Sequence, residues 1–234
     1  MFIMLDGIDG SGKGTVVKAW KEYLKNSGIR YFDLVKYWEE HGCYPDFTEI
    51  KAYEFILTGE PTYVETGKLL REELLKKGNG YDPKTIAEAF SIDRAILYKK
   101  IIIPALEKNK IIIQDRGIST TLAYQPLTHK ELSVKYLKKL SGNKLALDNT
   151  PDYLILLNTD PHEAIKRLGG REEKQDDSIF EKTDFLQKSD KRFKSKKYQK
   201  LFTKQGTKVL QLNGNQKIGI MKEEAIKLLK KILN

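Results

Sequence analysis

The sequence predicts an α/β fold built on a doubly wound parallel sheet, and three observations lead there. An apolar run at 2–5 enters a glycine-rich turn, Gly7-Ile8-Asp9-Gly10-Ser11-Gly12-Lys13-Gly14-Thr15, which opens into a helical pattern over 13–25. Short β-type runs then alternate with longer helical patterns, the rhythm of βα units and parallel strands. No internal repeat, low-complexity tract or linker breaks that rhythm, so the 234 residues read as a single domain, 1–234, carrying insertions.

The turn is the first element to justify. Glycines at 7, 10 and 12 let the backbone close tightly, so that its N–H groups converge at the positive end of a helix. Strand, glycine turn and helix N-terminus together make a cradle for phosphate, and Lys13 adds a full charge to it. The hydroxyl that usually follows such a lysine and ligates magnesium is displaced by one place: Gly14 stands there and Thr15 comes next. This disfavours a regulatory GTPase, which holds magnesium directly through that hydroxyl. The metal is expected on waters, substrate phosphates and a more distant carboxylate. The chemistry indicated is phosphoryl transfer.

The runs at 29–34 and 53–57 look like strands, and the stretch 35–51 between them carries a helical segment at 35–40 and a turn at Tyr44-Pro45-Asp46. Helical patterns follow at 67–77 and 83–108, and within the second Phe90 and Arg94 lie four apart on one face. An aromatic beside a guanidinium suits a nucleotide, one stacking on the base and one gripping oxygens. The competing reading buries Phe90 in the core and leaves Arg94 in a surface pair. A core strand at 111–114 runs into Asp115-Arg116. A carboxylate at a strand's carboxyl end can hold magnesium through water, and the adjacent guanidinium can grip phosphate bidentately. A helical pattern at 130–140 and a strand at 153–157 come next. The helix at 161–168 starts well, with Thr159-Asp160 before Pro161. Helical periodicity at 183–203, a strand at 208–212 and a helix at 222–233 finish the chain. The sheet should have about five strands, with ligands outside their carboxyl ends.

The formal charge is +10, from 42 Lys and Arg against 32 Asp and Glu, which suits a polyanionic ligand, nucleotide or nucleic acid. The lysines are spread along the chain, so solvated surface is the favoured reading and no nucleic-acid partner is expected. Cys43 is the one cysteine, which excludes an internal disulfide and a thiol metal site, and the histidines 41, 129 and 162 have no ligand spacing. No apolar run reaches membrane-spanning length, so a cytoplasmic protein is expected.

Five segments, in order, resemble one family. The Asp9-Gly10 pair inside the loop resembles thymidylate kinases, although the Gly12-Lys13-Gly14-Thr15 ending is closer to adenylate kinases. Thr58-Gly59-Glu60-Pro61 with Gly67 and Arg71 has the spacing of the family's T-R-E-P…G…R segment. Phe90-Ser91-Ile92-Asp93-Arg94 resembles its F-S-A-N-R helix, and Asp115-Arg116…Thr120…Ala123-Tyr124-Gln125 its DR…S…AY segment. Arg167-Leu168-Gly169-Gly170-Arg171, followed by Phe180-Glu181 and Asp184-Phe185-Leu186, looks like its lid. The chain is identified as a member of the thymidylate kinase family.

That resemblance implies ATP-dependent phosphorylation of dTMP with Mg2+ by a homodimer, a lid at about 167–182 and an insertion at about 35–52. Gly7, Asp9, Gly10, Ser11, Gly12, Lys13, Gly14, Thr15 and Arg167 would bind ATP. Asp9, Glu60, Phe90, Arg94, Arg116, Thr120, Thr121, Tyr124 and Gln125 would bind the acceptor. Lys13, Asp115, Arg116 and Arg171 would be catalytic, with Asp115 reaching the metal through water and Lys174 standing behind the lid arginines. The sequence departs from the pattern at Gly59, where the family has a phosphate-binding Arg, at Gly117, commonly aromatic, and at Thr62 and Tyr63, both expected to be Gly. Those departures leave open a kinase for another monophosphate, such as dUMP, dCMP or AMP. A non-enzymatic nucleotide- or nucleic-acid-binding protein is the more distant rival.

Overall fold

A computed structural model describes residues 1–76, 78, 80–169 and 183–234. The chain opens with β1 (Phe2–Asp6), buried at all five positions, and turns through the glycine loop into α1 (Lys13–Asn26). β2 (Tyr31–Asp33) ends on a carboxylate that accepts the Lys36 N–H and caps α2 (Leu34–His41). The short α3 (Phe47–Ile50), closed by a capping box of Asp46 and Glu49, leads to β3 (Phe55–Gly59). α4 (Glu65–Leu69) runs on through a π turn at Leu70–Leu74. A long rod follows: α5 (Pro83–Leu97), a π turn at Tyr98–Ile102 and α6 (Ile103–Glu107). β4 (Ile111–Asp115), α7 (Ile118–Thr128), α8 (Val134–Leu137) and α9 (Ser141–Asp148) precede β5 (Tyr153–Asn158). α10 (Pro161–Gly169), α11 (Thr183–Lys194), α12 (Lys196–Thr203), β6 (Lys208–Asn213) and α13 (Ile218–Leu233) complete the described elements.

The strands are all parallel, in the order β2-β3-β4-β1-β5-β6. Six strands pair where about five were expected, because both runs flanking the insertion join the sheet, β2 as a three-residue edge. β1 sits between β4 and β5, with Ile3 opposite Ile113 and Tyr153. The loop leaving its carboxyl end therefore opens where the strand order changes direction, the usual ligand crevice of such a sheet.

Alternate residues of β1 feed two cores, as a strand covered on both faces requires. Ile3 and Leu5 pack with Val16, Trp20 and Leu24 of α1 and Met221, Ala225 and Leu229 of α13. Trp20 Nε1 also donates to the Ala225 carbonyl at 2.8 Å, pinning those two helices together. Phe2 and Met4 pack on the other face with Tyr98, Leu122, Tyr198 and Phe202. The insertion is anchored there as well: Trp38 meets Tyr44 edge-on at 5.5 Å and stacks on Tyr63 at 6.5 Å.

Several helices differ from their sequence patterns for local reasons. The single helix expected over 83–108 widens into a π turn just before Pro104, which cannot donate to the carbonyl four residues back. The pattern at 130–140 yields only α8, while the unexpected α9 docks its Gly142 N–H onto Ser91 Oγ at 2.9 Å. The run 183–203 breaks at Ser195, whose hydroxyl accepts the Tyr198 N–H to start α12. α7 was missed because it is buried almost all round and has no amphipathic stripe. It also contains Pro126, which leaves the Leu122 carbonyl without its helical donor. Arg192 of α11 fills that vacancy, donating Nε to the Leu122 oxygen at 2.9 Å.

Candidate active site

The glycine loop wraps around the carboxyl end of β1. Gly10 has φ of 75°, and an added Cβ would lie 2.2 Å from the Ala164 carbonyl oxygen, so backbone angle and space both require glycine there. Lys13, 6% exposed, curls back into the loop and donates Nζ to the carbonyls of Gly7 and Ile8, each at 2.9 Å. Burial and the nearby Arg116 guanidinium lower its pKa to about 8, against the pull of Asp9, Asp115 and Asp6.

Beside the loop, β4 ends on Asp115 and the chain passes through Arg116, which holds a left-handed φ of 64°. Its guanidinium pairs with Asp9, while Nη1 lies 3.9 Å from Asp6 and has no hydrogen-bond partner among the described residues. Tyr124 closes this group: the Asp9 N–H donates to its oxygen at 3.0 Å, and its hydroxyl donates to the Asp9 carboxylate at 3.3 Å. Burial and Asp9 raise the Tyr124 pKa well above the ordinary phenol, so it stays a donor. Phe185 and Phe193 pack edge-on against its ring at 5.1 and 6.1 Å.

A second group lies behind the first. Arg94, 1% exposed, pairs with Glu60 and donates to Thr121 at 2.9 Å and to the Asn143 side-chain oxygen. Gln114 Nε2 donates to Glu60 at 3.1 Å. The expected surface pair of the competing reading is therefore a buried one. Phe90 is half-buried and packs against Leu70, Leu74, Ile86 and Ala89.

These groups border one cleft of about 600 Å³, whose lining includes Asp9, Lys13, Glu60, Arg71, Asp115 and Arg116. Gly10, Gly12 and Gly14 line it too, and Tyr124 reaches it through Asp9, while Thr120 bonds Asp6, which is not in the lining. Phe90, Arg94 and Gln125 are not in its lining, and the Gln125 Oε1 is buried without a partner among the described residues. Arg167 sits outside the loop, donating to the Gly214 carbonyl at 2.9 Å and the Ser11 carbonyl at 3.5 Å. This brings the 213–216 turn against the glycine loop. Arg171, Lys174 and most of the expected lid lie outside the described residues.

The donor set fits a magnesium ion carried mainly by phosphates and water. Among the described residues no cluster of three metal-ligating side chains exists, yet Asp115 Oδ1 is buried in the cleft without a partner. Sequence reasoning missed Asp6, Ser119 and Asn143. A carboxylate closing the strand immediately before the first loop glycine was the available signal for Asp6.

Comparison with known proteins decides the family. The family model described as thymidylate kinase matches residues 47–225. The chain belongs to the thymidylate kinase family. It is 35% identical to a probable thymidylate kinase of Pyrococcus abyssi over 73% of this chain and 70% of the relative. It is 35% identical to a probable thymidylate kinase of Thermococcus kodakarensis over 77% of this chain and 78% of the relative. The match to a thymidylate kinase of Kosmotoga olearia is 28% identical but covers 97% of this chain and 94% of the relative.

The departures from the thymidylate kinase pattern have structural causes. A Cβ at 117 would lie 2.6 Å from the Met4 Cε and 2.7 Å from the Gln114 Nε2, so an aromatic cannot enter unless both move. Thr62 and Asp93, where the family pattern has Gly and Asn, bond each other: the Thr62 hydroxyl donates to Asp93 at 2.6 Å and its N–H at 2.9 Å. Tyr63 lies 3.9 Å beneath the Arg71 guanidinium, which also donates to the carbonyls of Pro61 and Thr62.

Proposed function

We propose that this protein transfers the γ-phosphoryl group of ATP to the phosphate of dTMP, giving ADP and dTDP. The observation that carries the reading is the single cleft in which a thymidylate kinase family member gathers Lys13, Asp115 and Arg116 around its glycine loop. An oxygen of the dTMP phosphate attacks the γ-phosphorus. The bond to the β,γ-bridging oxygen breaks, and ADP leaves with its electrons.

Little covalent chemistry is needed, because positioning and charge stabilisation lower most of the barrier. Lys13 and the loop amides of Gly10, Gly12 and Gly14 hold the β- and γ-phosphates, while Gly7, Ser11 and Thr15, whose N–H groups bond Asp6, Ile8 and Gly12, keep the loop in shape. Arg116 offers its unpartnered Nη1 to the transferred group, and Asp9 orients the acceptor. Arg94 and Glu60 fix the wall on which Thr121 and Gln125 meet the base, with Phe90 as the stacking ring. Arg167 and Arg171 bring the lid's positive charge. Magnesium, held through water by Asp115, would screen the phosphate charge when bound.

The same reading takes the chain as one kinase domain, 1–234, with an insertion at about 35–52 and a lid at about 167–182, acting as a cytoplasmic homodimer. Among the described residues no helix is long and apolar enough to cross a membrane. The test is ADP release from ATP and magnesium with dTMP, dUMP, dCMP and AMP in turn. Clear preference for dTMP is expected, and equal or better turnover of another monophosphate would displace it.

A further inference from the structure

The Asp6 carboxylate is heavily bonded and stands beside the cleft, yet it does not line it. It is fully buried at the end of β1. It accepts the Gly7 N–H at 2.8 Å, the Thr120 hydroxyl at 2.8–2.9 Å and the Ser119 hydroxyl. The first donor belongs to the glycine loop, and the other two to the opening turn of α7, the helix that carries Thr121 and Tyr124. Asp6 also stands 3.9 Å from the Arg116 Nη1, close enough to attract the guanidinium and too far to consume the donor. Tyr198 braces the same turn from behind, its hydroxyl donating to the Ser119 carbonyl at 2.9 Å.

We infer that Asp6 is a positioning residue for phosphoryl transfer. It ties the donor cradle to the acceptor wall and aims Arg116 without occupying it. A buried charge is tolerable only where donors and cations surround it, and the structure supplies three donors and the Arg116 and Lys13 charges. Asparagine keeps the shape, and its amide can still meet the hydroxyls of Ser119 and Thr120, but it removes the charge that draws Arg116; alanine removes the charge and every tether.

This inference rests on the thymidylate kinase reading, so dTMP turnover by the parent is the first measurement, and its absence would strike that reading and not the tether. Asp6→Asn, Asp6→Ala and Thr120→Val, and the Asp6→Ala/Thr120→Val double variant, are compared by kcat, by KM for each substrate and by ATP binding. Misplacement of about 1 Å in an active site costs on the order of 100-fold. Asp6→Ala is expected to lower kcat by about 10–100-fold while ATP affinity shifts by less than about threefold. Asp6→Asn should fall between parent and alanine, and the double variant should be no worse than Asp6→Ala alone. Parent-like kcat in folded Asp6→Asn would overturn the inference, as would losses from Asp6→Ala and Thr120→Val that simply multiply. If Asp6→Ala does not fold, the Asp6→Asn and Thr120→Val pair gives the same cycle.

Discussion

At the scale of the residue, Lys13 is where burial and charge oppose each other most directly. Its pKa of about 8 means that the free enzyme loses this cation as pH rises through that value. The group binds phosphate only while protonated, so kcat/KM for ATP should hold below pH 8 and fall above it, with an alkaline limb set by the free enzyme. Lys13→Ala should abolish turnover while leaving the circular dichroism unchanged. Tyr124 makes a second prediction. The resemblance to thymidylate kinases puts this ring near the acceptor sugar's 2′ carbon; fixed by Asp9 on one side and by Phe185 and Phe193 on the other, it would not yield to an added 2′-hydroxyl. A buried hydroxyl without a partner costs about 1–3 kcal/mol, and the parent should prefer dTMP over its ribonucleotide analogue by about one to two orders of magnitude. Tyr124→Phe should keep the preference and Tyr124→Ala should lose it; equal use of both substrates by the parent would make Tyr124 structural. Lys13, Asp115 and Arg116 were legible because their chemistry is local, a lysine behind glycines and an Asp-Arg pair after a strand. Asn143 was not, because its tie to Arg94 depends on a docking of α9 against α5 that no local pattern announces.

At the scale of the element, α7 shows what periodicity misses. A helix buried nearly all round carries no stripe to read, and its proline argued against it. The structure accommodates Pro126 by borrowing Arg192 from α11. Arg192→Ala should cost about 1–3 kcal/mol, the range for leaving a backbone acceptor unsatisfied, and lower Tm by roughly 2–4 °C per kcal/mol in a domain of this size. Pro126→Ala returns an N–H to the Leu122 carbonyl. Adding it to Arg192→Ala should therefore recover much of that Tm, whereas additive losses would mean the side chain matters only for packing. The helices read correctly from the sequence were those with one wet face, α1 and α10 among them.

At the scale of the molecule, the alternation of strands and helices was enough to predict a doubly wound parallel sheet, because parallel strands need crossovers. It did not fix the number of strands, since an edge such as β2 buries too little to leave a strong pattern. A homodimer of this 27.0 kDa chain should sediment at about twice the monomer mass at micromolar concentration. A monomer mass that persists as concentration rises would remove the dimer from the proposal.

The central place of β1 carries a consequence for how the protein is made. β1 pairs with β4 and β5, more than a hundred residues downstream, as the pairing of Phe2 with Ile112 and of Ile3 with Tyr153 requires. The glycine loop leaves the ribosome well before those strands and has no walls until they arrive. Such distant pairing is slow to close and exposes the apolar run at 2–5 meanwhile. Nascent chains stalled before β5 should thus be unable to retain nucleotide and should depend on chaperones, while chains released just beyond β6 gain both order and ligand in one late step.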